Sequence, residues 1–157
     1  MTTEPYAAGQ DKDKWRALHA KLSTAYQEEG EYPLISLEEF FEGNRDVGSI
    51  GCNLLPHPGI ETFYRILRDL RARDDVQDVL VGITDLNEFA TPEETDQMAE
   101  WPFSDVVYFV TKAPVAVIEP LLAALEPDDV FAPEETHYER NFPVLKEGYQ
   151  VLAAWWD

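Results

Sequence analysis

Two short runs constrain this chain more than any other feature, Asp78–Leu86 (DVLVGITDL) and Asp105–Thr111 (DVVYFVT). Both are rich in β-branched and aromatic residues, and Val79, Val81 and Ile83 alternate so as to face one way. They therefore read as strands of a buried sheet. A sheet face must be covered, and the chain supplies amphipathic helices to cover it. Trp15, Leu18, Leu22 and Tyr26 fall at helical spacing with Lys14, Arg16 and Lys21 off that stripe, predicting a helix over 11–28 that Gly30 and Pro33 end. Phe63, Ile66, Leu67 and Leu70 form an i, i+3, i+4, i+7 stripe after the rigid loop Pro56-His57-Pro58-Gly59. Ser36-Leu37-Glu38-Glu39 is a capping box, in which Ser36 accepts from the amide three residues on while Glu39 reaches back, and it predicts a short helix over 37–42.

Four further segments complete the reading. Gly48–Leu54 is a strand candidate weakened by its glycines, and Asp128–Ala132 and Tyr149–Trp156 read as closing strands. Pro114–Leu125 is an apolar helix in which Pro120 either makes a kink or sets the start. The acid-rich connection 87–103 carries its own capping signal at Thr91-Pro92-Glu93-Glu94. From residue 48 the order is strand, helix, strand, then strand, helix, strand. Two βαβ halves in tandem predict an α+β fold with a ferredoxin-like split βαβ sheet, antiparallel-dominated, with two principal helices on one face. The expectation is a single domain over 1–157, with 1–47 an N-terminal helical addition and 48–157 the two halves.

Composition bounds the function. The chain has 157 residues, 45% apolar and 27% charged, enough to bury about two-thirds of the unfolded surface in one domain. Its single cysteine, Cys52, permits no intramolecular disulfide and no cysteine-rich zinc site. No signal pattern opens the chain and no apolar run approaches membrane-spanning length, so a soluble cytoplasmic protein is expected. With 12 basic and 31 acidic residues the formal charge is −19, which repels phosphate backbones and anionic lipid and argues against nucleic-acid or membrane partners.

That charge is uneven. Residues 1–73 hold 9 bases and 12 acids, a net of −3, whereas 74–157 hold 3 bases and 19 acids, a net of −16. Four of the seven arginines, Arg65, Arg68, Arg71 and Arg73, stand together just before the change of sign. They could grip an anion or an acidic partner, or pair internally with Asp69, Asp74 or Asp75. Such asymmetry points to a partner or to self-association, and its plain alternative is solvation.

The stretches SLEEFFEGN, GSIGCNLLPHPG, DVQDVLVGITDL, WPFSDVVYFVT and AAWWD resemble, over residues 34–157, small uncharacterised bacterial single-domain proteins. The resemblance implies no named activity and no functional residues.

No constellation carries strong chemistry. Cys52 and His57 invite a thiol–imidazole reading but lack an orienting group, and a small buried cysteine at the end of a strand is the default reading. His19, His57 and His137 form no i, i+3 or i+4 pair, so no metal site is expected. Asp85 and Asp105 flank the long connection and would meet at one end of the sheet if their strands pair. With so many acids in the chain such a pair is expected by chance, and a solvated edge is the preferred reading. No catalytic residue or cofactor is expected. Adjacent tryptophans on a strand face opposite ways, so of Trp155 and Trp156 one enters the core and the other lies outside, where acids could rim it as a protein-binding anchor. The leading expectation is therefore a non-enzymatic acidic interaction protein docking on a basic protein partner, such as a toxin. The alternative is a small-molecule or enzymatic pocket under the 87–103 connection. The candidate surface residues are Asp85, Asn87, Trp101, Asp105, Trp156, Arg65 and Arg68.

Overall fold

The computed structural model describes residues 10–86, 100–134 and 141–157. Asn87 and the Thr91 capping signal lie outside the described residues. Helix α1 spans Lys12–Glu29, starting and ending one residue later than expected. Asp11 caps it by accepting the Lys14 amide, and Gly30 ends it in the left-handed region at φ 76°, where a side chain would be strained. The two-residue strand β1, Ile35–Ser36, runs straight into α2, Leu37–Phe41. Both arms of the expected capping box are present there: the Glu39 amide donates to Ser36 Oγ at 3.1 Å and the Ser36 amide to Glu39 Oε1 at 3.2 Å.

The strand expected at Gly48–Leu54 is not formed. A 3-10 turn occupies Val47–Ser49, initiated by the Asp46 side chain accepting the Gly48 amide, and Ile50 makes an isolated parallel bridge to Ser104. Gly51 then turns the chain at φ 63°, and a Cβ there would stand 3.0 Å from the Phe63 ring and 2.9 Å from Leu54. The local turn chemistry of Asp46 and the glycines outweighs the strand propensity of Ile50 and Leu54. Helix α3, Ile60–Arg71, follows, burying Phe63, Leu67 and Leu70 of its stripe fully and Ile66 in part.

Strands β2 (Val76–Gly82) and β3 (Val106–Thr111) pair antiparallel, as their sequences require. Helix α4 spans Val115–Leu121 and continues as a 3-10 turn at Ala123–Leu125. Pro120 neither starts nor visibly divides this helix. It lies in the last turn, where the missing N–H removes a hydrogen bond and the α-helix gives way one residue later. Strands β4 (Asp129–Phe131) and β5 (Gln150–Trp155) complete a five-stranded antiparallel sheet in the order β1-β2-β3-β5-β4. Because β3 and β4 both run antiparallel to β5, they are parallel to each other with β5 inserted between them. The unit β3-α4-β4 is thus a split βαβ. The first expected half has no such form, because its opening strand is the 3-10 turn.

One face of the sheet carries the core. Val79, Val81, Val107, Phe109, Leu152 and Val130 meet the apolar sides of α1, α2 and α3, with Ile118 from α4 in the same cluster. Each fully buried side chain of this kind contributes on the order of 1.5–3 kcal/mol. The opposite face holds Leu80, Val110, Val151 and Ala153, buried by chain rather than helix. Phe142 stands edge-on to Tyr108 at 5.3 Å, and Gln77 donates to the Val144 carbonyl at 2.8 Å and accepts from the Lys146 amide at 3.0 Å.

Candidate functional site: the acidic end of the sheet

Antiparallel pairing decides where the acids go. The end of β2, the start of β3, the end of β5 and the start of β4 lie side by side, in the row Gly82, Val106, Trp155, Asp129. Asp85, Asp105, Asp128, Asp129 and Asp157 all fall within three residues of that row, so one end of the sheet collects five carboxylates.

Backbone and side-chain bonds hold this end together. Asp85 exchanges hydrogen bonds with Phe103, its carbonyl accepting at 2.9 Å and its amide donating at 3.3 Å. The Thr84 hydroxyl donates to Asp105 Oδ1 at 2.6 Å, and the Asp105 carbonyl accepts from the Trp156 amide at 2.9 Å. Asp128 donates its amide to the Trp155 carbonyl at 2.8 Å and accepts the Asp157 amide at 2.6 Å. Among the described residues none of these five acids has an ion-pair partner; the ion pairs found lie elsewhere. Nor do three potential metal ligands gather in metal-holding geometry among them.

Aromatic placement corrects two sequence expectations. Trp156 is not a surface residue: it is 2% exposed, its indole N–H donates to the Leu125 carbonyl at 2.7 Å, and its ring lies 5.5 Å from that of Phe63. Trp155 takes the outer position instead, 37% exposed and in register with Asp129. Phe131, two residues beyond Asp129 on the same face, is equally exposed. Trp101 is likewise no surface residue, being buried with its amide donating to Asp46 Oδ2 at 3.0 Å. Asp85 and Asp105 do meet at one end of the sheet, bridged through Thr84.

The arginine cluster divides. Arg71 forms a bidentate pair with Glu38, one arm at 2.9 Å, and Arg73 pairs with Asp75 at 2.9 and 3.0 Å. Arg65 and Arg68 stay on the exposed side of α3, with the Arg68 guanidinium 4.2 Å above the Tyr64 ring. The His57 ring is fully engaged with backbone, Nε2 with the Ile50 carbonyl at 2.7 Å and Nδ1 accepting the Gly59 amide at 2.8 Å. It therefore braces the 50–59 loop and has no free nitrogen to take a proton from exposed Cys52.

Sequence reading missed a buried polar knot beside this end. Asp46 is 3% exposed and accepts both the Gly48 amide (2.9 Å) and the Trp101 amide (3.0 Å), while Asn44 donates to Phe40 and Ser49 and accepts the Asp46 amide. Burial raises the Asp46 carboxyl above the ordinary aspartate range, partly offset by those two amides. The alternation Asn44, Asp46, Gly48 was the available signal, since such spacing favours side-chain turns.

The described residues also form grooves elsewhere. One of about 330 Å³ lies between α1 and α2, with Lys14, Lys21, Glu38, Glu39 and Glu42 at its rim. Another, of about 240 Å³, is lined by Ile66, Asp69, Leu70 and Arg73 of the α3 region and Leu121 of α4. Neither is lined by Asp85, Trp101 or Asp105. No described helix is long and apolar enough to cross a membrane.

Fold and site together define an acidic α+β protein with an antiparallel sheet and a carboxylate-rimmed tryptophan at one end of it. The chain belongs to the family described as the "Uncharacterized protein YfbO family", whose model matches residues 13–154. That match takes in α1 from Asp13 and the stretches of the resemblance as far as Ala154. The chain is also similar to the Escherichia coli (strain K12) protein described as "Uncharacterized protein YfbO", with 31% identity over 126 residues, 80% of this chain and 83% of that one. No solved structure matches.

Proposed function

We propose that this is a non-enzymatic interaction protein of the cytoplasm whose acidic sheet end docks on a basic protein partner, a toxin or another nucleic-acid-directed protein being the kind that carries such a face. Trp155 is the observation that carries the reading. A half-exposed tryptophan in register with Asp129, beside carboxylates that no described cation neutralises, combines the anchor and the field that such docking uses. Unpaired acids at one end steer a basic partner in, and the ring then provides the contact that slows its departure. Capture of partners at low and moderate salt tests this with Trp155→Ala and with Asp128→Asn combined with Asp129→Asn. Expected is a salt-sensitive partner that both variants lose. A partner captured equally by all three proteins, or none at low salt, overturns the reading.

One observation favours a second reading, a small-molecule pocket under the 87–103 connection. The Trp101 indole N–H is buried without an acceptor, and a ligand carbonyl or carboxylate would satisfy it. A metabolite screen by thermal shift tests it: Tm should rise with the ligand in the wild type and not in Trp101→Phe.

A further inference from the structure

Residues 141–146 cross the face of the sheet opposite the helices with no helix or strand of their own, and amide side chains fasten both ends. Asn141 Oδ1 accepts the Leu34 amide at 2.8 Å and its Nδ2 donates to the Leu34 carbonyl at 2.9 Å. Gln77 donates to the Val144 carbonyl at 2.8 Å and accepts the Lys146 amide at 3.0 Å. Each carboxamide thus supplies the donor and the acceptor that a neighbouring strand would offer. A bulge frees Gln77 for this. The β2–β3 register passes from Val76 opposite Thr111 to Asp78 opposite Val110, and Gln77 is the residue left over.

Register gives the course of the segment. Ile35 pairs with Val81, so Leu34 lies at the Gly82 end of β2, whereas Gln77 lies near the other end. Asn141 to Lys146 therefore runs antiparallel to β2, and five residues of extended chain, about 17 Å, match the distance from Gly82 back to Gln77. Along the way Phe142 meets Tyr108 edge-on at 5.3 Å. Tyr108 is in register with Leu80 on one side and Ala153 on the other, and Trp155 is the next residue of β5 on the face of Ala153. The segment covers the apolar band that continues from the half-exposed Trp155 ring.

Little of the segment is itself buried. Val144 is 92% exposed, and Phe142, Pro143 and Leu145 are only partly covered. Both Gln77 bonds lie in the open, where water competes for them. Below, β2, β3 and β5 are joined by strand ladders and carry the core on their other face. A cover fastened by exposed hydrogen bonds opens before a sheet fastened by burial.

We infer that residues 141–146 are a releasable strap, which lifts while the sheet stays folded and bares Leu80 and Tyr108 beside Trp155. Use of the bared band by a basic partner rests on the docking reading above; the lifting does not, and the protein alone tests it.

Thiol labelling of the full chain under native conditions reads the lifting. Cys52→Ser removes the only cysteine, after which Leu80→Cys puts a thiol under the strap and Val79→Cys puts one on the core face. Replacing both fasteners, Gln77→Ala with Asn141→Ala, should speed labelling at position 80 at least about tenfold and leave position 79 within about twofold. Phe142→Ala should act in the same direction. Should the cysteine variants fold poorly, amide exchange in the wild type replaces them. The Leu34 and Lys146 amides should exchange at rates that low denaturant does not change, while those of β3 respond to it. Labelling that accelerates equally at both positions, or at neither, overturns the inference, because the segment then opens only with the whole fold or not at all. So does a denaturant response of Leu34 and Lys146 equal to that of β3.

Discussion

Residues 10–75 and residues 76–157 treat their charges in opposite ways. In the first region lysines and arginines reach across elements: Lys14 to Glu42 at 3.2 Å and Lys21 to Glu39 at 2.5 Å join α1 to α2, Arg45 reaches Glu61 at 3.5 Å, and Arg71 clamps Glu38. Every ion pair found among the described residues lies between Asp13 and Asp75. In the second region the carboxylates of the sheet end bond to amides and a hydroxyl instead, and their charge remains facing outward. The contrast separates two uses of ionic groups. Partly exposed pairs add little each to stability but fix how short helices sit on one another. Acids bonded only to neutral donors keep their charge and create a field that acts on other molecules.

The largest test breaks the link between the regions. Trp156 comes from the acidic region, yet its ring packs on Phe63 of α3. Trp156→Ala should cost about 3–5 kcal/mol by denaturant unfolding, through the cavity it leaves and the freed Leu125 carbonyl. Trp155→Ala, one residue away, should cost no more than about 1 kcal/mol. Equal costs would mean that the two tryptophans do not divide between core and surface.

Asp46→Asn comes next, at about 1–3 kcal/mol, because two amides converge on a carboxylate and an asparagine offers one oxygen and one competing NH2. It also sharpens the comparison through pH. Burial lifts Asp46 and Asp78 above the ordinary aspartate value of 3.8. Such groups bind more protons folded than unfolded, so their contribution grows as pH falls toward the raised values. Glu38, held below the usual 4.5 by its bond to Arg71, acts in the other direction. Its contribution is complete above the unfolded value and is lost as pH falls through the lowered one. Thermal melts should therefore show a gain on mild acidification and a loss at lower pH, with the gain reduced in Asp46→Asn.

The smallest effects contrast single charges. Glu38→Gln should cost about 0.5–1 kcal/mol, the pair being too exposed for more, and the cost should shrink in salt. Asp129→Asn should change stability by less than about 0.5 kcal/mol, and in the stabilising direction at low salt. A clear loss there would show that Asp129 has a structural task.

Several features were legible in residues close together in the chain. The stripe Trp15, Leu18, Leu22 places α1, the pair Ser36 and Glu39 starts α2, and the β-branched runs around Val79 and Val107 form adjacent strands. Helical periodicity, capping and strand propensity act over a few residues, so the amino-acid sequence alone determines them. The expected division of Trp155 and Trp156 between two faces belongs here too, because it follows from the alternation of a strand.

Which tryptophan lies inside depends on the pairing of β5, which aligns Trp155 with Val106 and Asp129. Local turn chemistry replaced the strand expected at Gly48–Leu54, but the Asp46 carboxylate that starts the turn is also held by the amide of Trp101, 55 positions on. The insertion of β5 between β3 and β4, the gathering of five carboxylates at one end of the sheet and the closing of Asn141 on both backbone groups of Leu34 are of the same kind. Each depends on contacts between segments far apart in the chain, where local propensities of a few tenths of a kcal/mol are outweighed by burial and by the cost of leaving a polar group without a partner.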